Sequence, residues 1–275
     1  TSEKKSTSNL EEIKQNEPFN VYISGIDTYG SLSCISRSDV NMIVSVNPQT
    51  KKILITTIPR DTYVDIYNNS GIGKDKLTHA GLYGVASSIE TLEKFLDIDI
   101  NYYAKVNFTT LKELIDILGG VTVDNPVEFR SSGGKYYFPK GLNQMNGDMA
   151  LAYSRERYNL EEGDFDRGKN HTRVMTGIIK KLLSPAILIN FDEISQSALK
   201  SVNTDMTSKK MIELVNGQLA YGGDWDIDSQ ALKGTGSMDL PSALMPEARL
   251  YMMVADEASI KSVHDNIENN NKVVK

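Results

Sequence analysis

Between Ser154 and Arg173 the chain reads SRERYNLEEGDFDRGKNHTR, four arginines, one lysine and one histidine among five carboxylates, with no long apolar run. Arginine is planar, permanently charged and carries five donors, so several together can hold a phosphate through paired hydrogen bonds. Arg155 and Arg157 stand two apart, on diverging sides of an ideal helix, and serve one ligand only where that helix ends. Arg167 and His171 are four apart and share a face, which continues through Val174, Ile178 and Leu182. A polar head followed by an apolar stripe suits an oxyanion-rich group with a greasy tail.

Further acids and arginines stand upstream. Asp27 follows the run FNVYISGI, Arg37 and Asp39 precede VNMIVSVN, and Arg60 and Asp61 follow KILITTI, at a proline that breaks the ladder. Strand ends are where sites gather in open α/β sheets, and neighbouring ends would bring these groups to one rim. Carboxylates beside arginines suit a polyphosphate bridged by a divalent metal, the acids holding the ion and the arginines the remaining phosphate charge. Two blander readings stay open at this level. Arg155, Glu156, Arg157, Glu161 and Glu162 could form a solvated salt-bridge face, and Asp27, Asp39 and Asp61 could be turn and cap residues.

The elements that must position these residues can be read from periodicity. Strands are predicted over Phe19–Ile26, Val40–Asn47 and Lys52–Ile58, with further strands at NYYAKVN, VTVD, Trp225–Leu232 and RLYMMVA. Helices are predicted over His79–Leu96, Phe108–Leu118, from Asn146 through SRER, from Asp166 as N-cap to a stop before Pro185, Phe191–Val202, Ser208–Leu219 and Glu257–Glu268. EFRSSGGKYYF has the centre of a hairpin. GIGKDK lacks the pattern of a phosphate loop and reads as a surface turn. The fold class is therefore mixed α+β, one domain over 19–270 with a central mixed β-sheet covered by helices. Residues 1–18 read as a flexible polar linker and 271–275 as a frayed tail.

The 275 residues carry a net charge of −6, which removes a general case for nucleic-acid binding. No window reaches the roughly 18 to 20 apolar residues that would cross a bilayer. Cys34 is the only cysteine, so no intrachain disulfide is available. The three histidines, His79, His171 and His264, lack the spacing of a zinc site, Trp225 reads as a packing residue, and no Ser-His-Asp triad is evident.

The ordered set ISGID, SRSDVNMIVSVNP, TTIPRDTYV, KLTHA, DILGGVTVDNP, LNQMNGDMALAYSRER and DFDRGKNHTRV resembles the LytR-CpsA-Psr family of Gram-positive cell-envelope enzymes, especially its streptococcal capsule-attachment members. The resemblance runs from about Phe19 through Leu183 and is weaker beyond. It implies a membrane-anchored protein with its catalytic domain on the extracytoplasmic face, the anchor lying outside this chain, and an apolar lipid tunnel beside the sheet. It implies transfer of a glycopolymer from an undecaprenyl-pyrophosphate carrier to a peptidoglycan acceptor. On that resemblance Asp27 and Asp39 correspond to the carboxylates associated with Mg²⁺ (or Mn²⁺), Arg37, Arg60, Arg155, Arg157 and Arg167 to the head-group arginines, and Asp164 to a further polar position. Asn170 and His171 stand where members usually carry glutamine, and a histidine there would make phosphate binding more pH-sensitive. Asp39 is a candidate general base, although a metal-bound carboxylate is a poor one. A polyprenyl-pyrophosphate hydrolase and a lipid-binding or regulatory ectodomain are the alternatives.

Overall fold

A computed structural model describes residues 16–32, 35–156 and 164–274, with side chains from 167 onward in the last of these segments. Residues 1–15, Cys34, Arg157 and Lys275 lie outside the described residues, as does the side chain of Asp164.

The first three β-branched runs become β1 (Phe19–Ile26), β2 (Ser38–Asn47) and β3 (Lys52–Ile58). They pair antiparallel, with Val21 opposite Val44 and Val44 opposite Ile55. The turn between β2 and β3 is set by Asn47, whose Oδ1 accepts from the amides of Gln49 (3.1 Å) and Thr50 (3.3 Å). A hairpin of β4 (Tyr63–Tyr67) and β5 (Gly71–Lys76) follows. GIGKDK is therefore a strand and not a turn; its glycines hide a pairing that β4 supplies.

The helix predicted from His79 is divided into α1 (Leu77–Ala80), a 3₁₀ turn (Gly81–Tyr83) and α2 (Val85–Leu96). Gly84 breaks it, at a φ of 100° that side-chain-bearing residues rarely adopt. Gly81 is there for a different reason. A Cβ on it would lie 2.7 Å from Ser36 O and 2.8 Å from Ser38 N, so glycine lets this turn rest on the backbone leading into β2.

Strand β6 (Tyr102–Asn107) runs parallel to β1 and feeds α3 (Phe108–Ile117). Asn107 caps that helix reciprocally with Thr110, each side chain accepting the other's amide at 2.9 Å. Next come β7 (Val121–Asn125), the hairpin of β8 (Phe129–Arg130) and β9 (Tyr137–Phe138) around SSGG, and β10 (Gly141–Met145) beside β7. Asn146 caps α4 (Gly147–Arg155), accepting the Met149 amide at 2.9 Å. Helix α5 (Asp164–Leu182) begins two residues ahead of the predicted cap and stops before Pro185. The chain continues through α6 (Pro185–Ile189), α7 (Phe191–Ala198), β11 (Asn203–Thr204), α8 (Ser208–Tyr221), β12 (Asp226–Ala231), β13 (Gly234–Ser237), β14 (Met252–Ala255) and α9 (Glu257–Asn270).

Six strands form a mixed sheet in the order β11-β6-β1-β2-β3-β12, parallel at β6–β1 and β3–β12 and antiparallel elsewhere. Alternate residues serve opposite faces, as the pleat requires. Tyr22, Ile43 and Leu54 pack with Leu92 and Leu96 of α2 and Val263 and Ile267 of α9. Val21, Met42, Val44, Ile53 and Ile55 face the other way, toward Met175 and Ile179 of α5 and Leu214 of α8. A third cluster joins α3, α4 and α5 to the small β7–β10 ribbon, with Val174 and Ile178 at its α5 side. Helix α5 is thus shared between the sheet and this outlying layer, and a space opens where they part. The tail expected to fray is instead tied down. Asn47 Nδ2 donates to the carbonyls of Asn270 (2.7 Å) and Lys272 (3.0 Å), and the Val274 amide to Gln49 Oε1 (2.9 Å). No helix among the described residues is long and apolar enough to cross a membrane.

Candidate functional site

The ends of β1 and β2 differ from a regular ladder in one respect. Gly25 pairs with Val40 and Ile26 with Ser38, so Asp39 is the extra residue of a β-bulge. A bulge switches the side to which neighbouring side chains point. Ser38 turns to the face of Tyr22, whose hydroxyl donates to Asn41 Oδ1 at 2.6 Å and lies 3.1 Å from Ser38 Oγ. Burial pushes the Tyr22 phenol up, against the lowering effect of Ser38, Ser88 and Ser24, so it stays neutral and remains a donor. Asp39 turns to the opposite face, with Val40 and Met42, toward α5.

On that face lies a cavity of about 330 Å³, within the range of about 300–1,000 Å³ usual for ligand sites. The strand ends give it Ile23, Gly25, Ile26 and Asp27 from the β1 side and Asp39, Val40 and Met42 from β2. The β6–α3 junction contributes Val106, Asn107, Phe108 and Leu111. Ser154 and Arg155 come from the end of α4, and Arg167, His171, Val174, Met175 and Ile178 from one side of α5. The lining therefore mixes charged and polar side chains with aliphatic ones.

Arg155 is exposed but held. Its Nη1 donates to the Tyr29 hydroxyl at 2.9 Å, and its guanidinium lies 4.3 Å from the centroid of the Phe108 ring. Tyr29 and Phe108 themselves meet edge to face at 5.2 Å. Two aromatic rings therefore fix a cation at the cavity mouth, leaving the rest of its donor fork for a ligand. The end of α4 is pinned by Glu156, which is 2% exposed and accepts from the Ser132 amide (2.5 Å) and hydroxyl (3.0 Å) in the β8–β9 turn. Glu156 is thereby a fold residue rather than part of a solvated charge face.

Arg60 reaches the cavity through Asp39, with Nη1 2.6 Å from Asp39 Oδ1. Arg37 is exposed and lies outside the cavity lining. Asn170 and His171 divide their labour. Asn170 is 1% exposed, donates to Tyr153 O at 3.1 Å and accepts from Arg173 at 2.8 Å, so it locks α5 to α4. His171 alone of the two lines the cavity. The apolar stripe ends one turn earlier than predicted. Val174 and Ile178 line the cavity, but Leu182, the last residue of α5, is 42% exposed and does not; Leu183 turns in instead. Arg157 and the side chain of Asp164 fall outside the described residues.

The cavity thus gathers Asp27, Asp39, Arg155, Arg167, His171, Val174 and Ile178, with Arg60 attached. Tyr29 and Phe108 are not singled out from sequence; the one signal is an aromatic at the first position of a predicted helix and another two residues after Asp27. For a metal, no cluster of three or more His, Cys, Asp or Glu side chains forms among the described residues. Asp27 and Asp39 do line one cavity, and one or two carboxylates completed by substrate phosphates is the usual way Mg²⁺ is held. The donor set therefore fits a hard divalent ion that arrives with a phosphate ligand.

The model of the LytR_cpsA_psr family matches residues 1–268. The polyisoprenyl-teichoic acid–peptidoglycan teichoic acid transferase TagU of Enterococcus faecalis is 38% identical over 240 residues, covering 86% of this chain and 75% of that protein. TagV of B. subtilis superposes with a TM-score of 0.78 at 27% identity, over 94% of this chain and 99% of that one. TagT bound to LI-WTA superposes with a TM-score of 0.71 at 27% identity, over 94% and 92%.

Proposed function

The chain belongs to the LytR_cpsA_psr family, and from that membership we propose that it transfers a glycopolymer, teichoic-acid-like or capsular, from a polyprenyl-pyrophosphate carrier to peptidoglycan at the outer face of a Gram-positive cell membrane. One observation carries the reading. A single cavity is lined both by acids, arginines and a histidine and by Ile23, Met42, Val106, Leu111, Val174 and Ile178. Such a lining suits a pyrophosphate that continues into a hydrocarbon chain.

In this reading Arg155, Arg167 and His171 hold the pyrophosphate, and Arg60 supports them through Asp39. Arg155, already oriented by Tyr29 and Phe108, meets the charge that develops on the departing phosphate without reorganising, which is what makes a preset dipole or cation effective. Mg²⁺ or Mn²⁺, held by Asp27 and Asp39, would add neutralisation of the same charge. The oxygen of a peptidoglycan hydroxyl bonds to the phosphorus that bears the glycan. The bond from that phosphorus to the lipid phosphate breaks, the hydroxyl proton passes to a base, and polyprenyl phosphate leaves.

The test is release of polyprenyl phosphate from a polyprenyl-pyrophosphoryl glycan, with and without a peptidoglycan oligomer. Transfer predicts release that requires the acceptor. Acceptor-independent release would make the protein a hydrolase, no release at all a binding protein, and release of polyprenyl pyrophosphate would move the attack to the anomeric carbon. Asp27 is exposed, so Asp27→Ala should leave the fold intact and raise the Mg²⁺ needed for half-maximal release by about tenfold or more, roughly 1.4 kcal/mol; an unchanged requirement would return Asp27 to the role of a turn residue. Val174→Phe is expected to narrow the apolar interior at an overpacking cost of about 1–3 kcal/mol. It should weaken binding of the polyprenyl substrate while leaving inorganic pyrophosphate binding unchanged, as calorimetry would show; equal loss of both would mean the site as a whole has been distorted.

A further inference from the structure

Behind Asp39 the charges do not stop at Arg60. Arg60 Nη1 is 2.6 Å from Asp39 Oδ1, Arg60 Nε is 3.7 Å from Asp61 Oδ2, and Lys76 Nζ is 2.7 Å from Asp61 Oδ1. The side chains of Asp39, Asp61 and Lys76 are each about 15% exposed, so this line of alternating charge is screened only weakly by solvent. We propose that Lys76 is a positioning residue for the transfer site: by occupying Asp61 it frees Arg60 to face Asp39 and the pyrophosphate. The proposal rests on the reading that Arg60 supports phosphate binding.

The argument is one of competition. Arg60 has a carboxylate on either side, and a guanidinium satisfied by Asp61 offers less to the cavity. Lys76 satisfies Asp61 from the far side. The four charges then sum to zero; without Lys76 they sum to −1 beside a polyanionic substrate, which repels it. The loop cannot relieve this by moving. The carbonyls of Arg60, Asp61 and Thr62 accept from the amides of Thr78 (2.9 Å), Met253 (2.8 Å) and Leu77 (2.8 Å), so the backbone that carries Arg60 and Asp61 is fastened at three successive residues. Lys76 itself is fixed as the last residue of β5, paired with Tyr63, with its amide on Asp75 Oδ1 at 2.7 Å. The sequence places it in KLTHA, where no chemistry could be assigned to it without the fold.

The test uses farnesyl pyrophosphate binding by calorimetry, together with kcat and KM for release, in five proteins: wild type, Arg60→Ala, Lys76→Met, Lys76→Arg and the double variant Lys76→Met with Asp61→Asn. Lys76→Met should lower farnesyl pyrophosphate affinity at least tenfold and raise KM with kcat changed less. Lys76→Arg should recover most of the affinity. The double variant, whose remaining pair again sums to zero, should bind within about threefold of wild type. A lysine that mattered only through the packing of its stem would not be rescued by removing its partner's charge. Unchanged affinity in Lys76→Met, or a double variant that binds no tighter than Lys76→Met alone, overturns the proposal. Should Arg60→Ala bind like wild type, the reading beneath it fails as well, whereas loss in Arg60→Ala beside wild-type behaviour of Lys76→Met removes only the role given to Lys76.

Discussion

Arg155→Ala is expected to slow polyprenyl phosphate release by about 10²–10³-fold, the usual loss when one preorganised charge-stabilising donor is removed, while the melting temperature moves by no more than about 1–2 °C. The two halves of that expectation come from the same geometry. Arg155 is exposed and has no acidic partner in its described contacts, only the Tyr29 hydroxyl and the Phe108 ring. Taking it away strands no buried charge, so stability has little to lose. What is lost is a cation held in place before substrate arrives. Arg155→Lys keeps the charge but not the flat face that lies on Phe108 or the fork that meets two phosphate oxygens, and should regain only part of the rate. Phe108→Leu, which leaves Arg155 intact but removes its support, should fall between wild type and Arg155→Ala. A melting temperature that drops along with the rate in Arg155→Ala would mean that the arginine holds the fold, and its place in the site would have to be abandoned.

Much of this arrangement was legible in the residues because it depends on local patterns. The strands β1 and β3 end where their β-branched runs end, α3 begins where its apolar spacing begins, and the α4 start is marked by Asn146. The continuity of Arg167, His171, Val174 and Ile178 follows from helical spacing alone, and the cavity uses that face. What could not be read depends on contacts between distant segments. Asp39 faces the cavity because of a bulge opposite Gly25, and strict alternation would have put it on the side of Tyr22. Glu156 looks like one more surface acid between two arginines until Ser132 is brought to it. GIGKDK has too much glycine to announce a strand, and it becomes one because β4 lies alongside. Leu182 keeps the helical period but sits where the helix ends, and periodicity does not report that the partner surface has run out.

Asp75 is the most consequential residue that periodicity passed over, and its replacement should have the largest effect on stability. It is 1% exposed and sits where three segments meet. Oδ1 lies 2.8 Å from His79 Nδ1 and accepts the Lys76 amide at 2.7 Å; Oδ2 accepts the Ser242 hydroxyl at 2.8 Å and the Leu244 amide at 2.9 Å. Burial by itself pushes this carboxyl up, but the Leu244 amide, the Ser242 hydroxyl, the Lys76 amide and His79 together hold it below the ordinary carboxylate range. Asp75→Ala leaves those donors facing nothing and should cost about 3–5 kcal/mol, the usual result of removing one member of a buried charged group. The acid dependence follows from the depressed folded value. Stability contributed by Asp75 is fully present above its unfolded pKa of about 3.9, and it is lost as pH falls through the folded value below that. The gap between wild type and Asp75→Ala should therefore be constant near neutrality and close progressively below about pH 4. Denaturant titrations of both proteins from pH 7 down to pH 3 measure it directly. A gap that stays the same width in acid would show that shape and packing, not the carboxylate, are what Asp75 supplies. Because the same hub fixes Lys76 and the turn after it, whose Leu77 and Thr78 amides hold the loop of Arg60, partial loosening by Asp75→Asn should weaken pyrophosphate binding before it unfolds the chain.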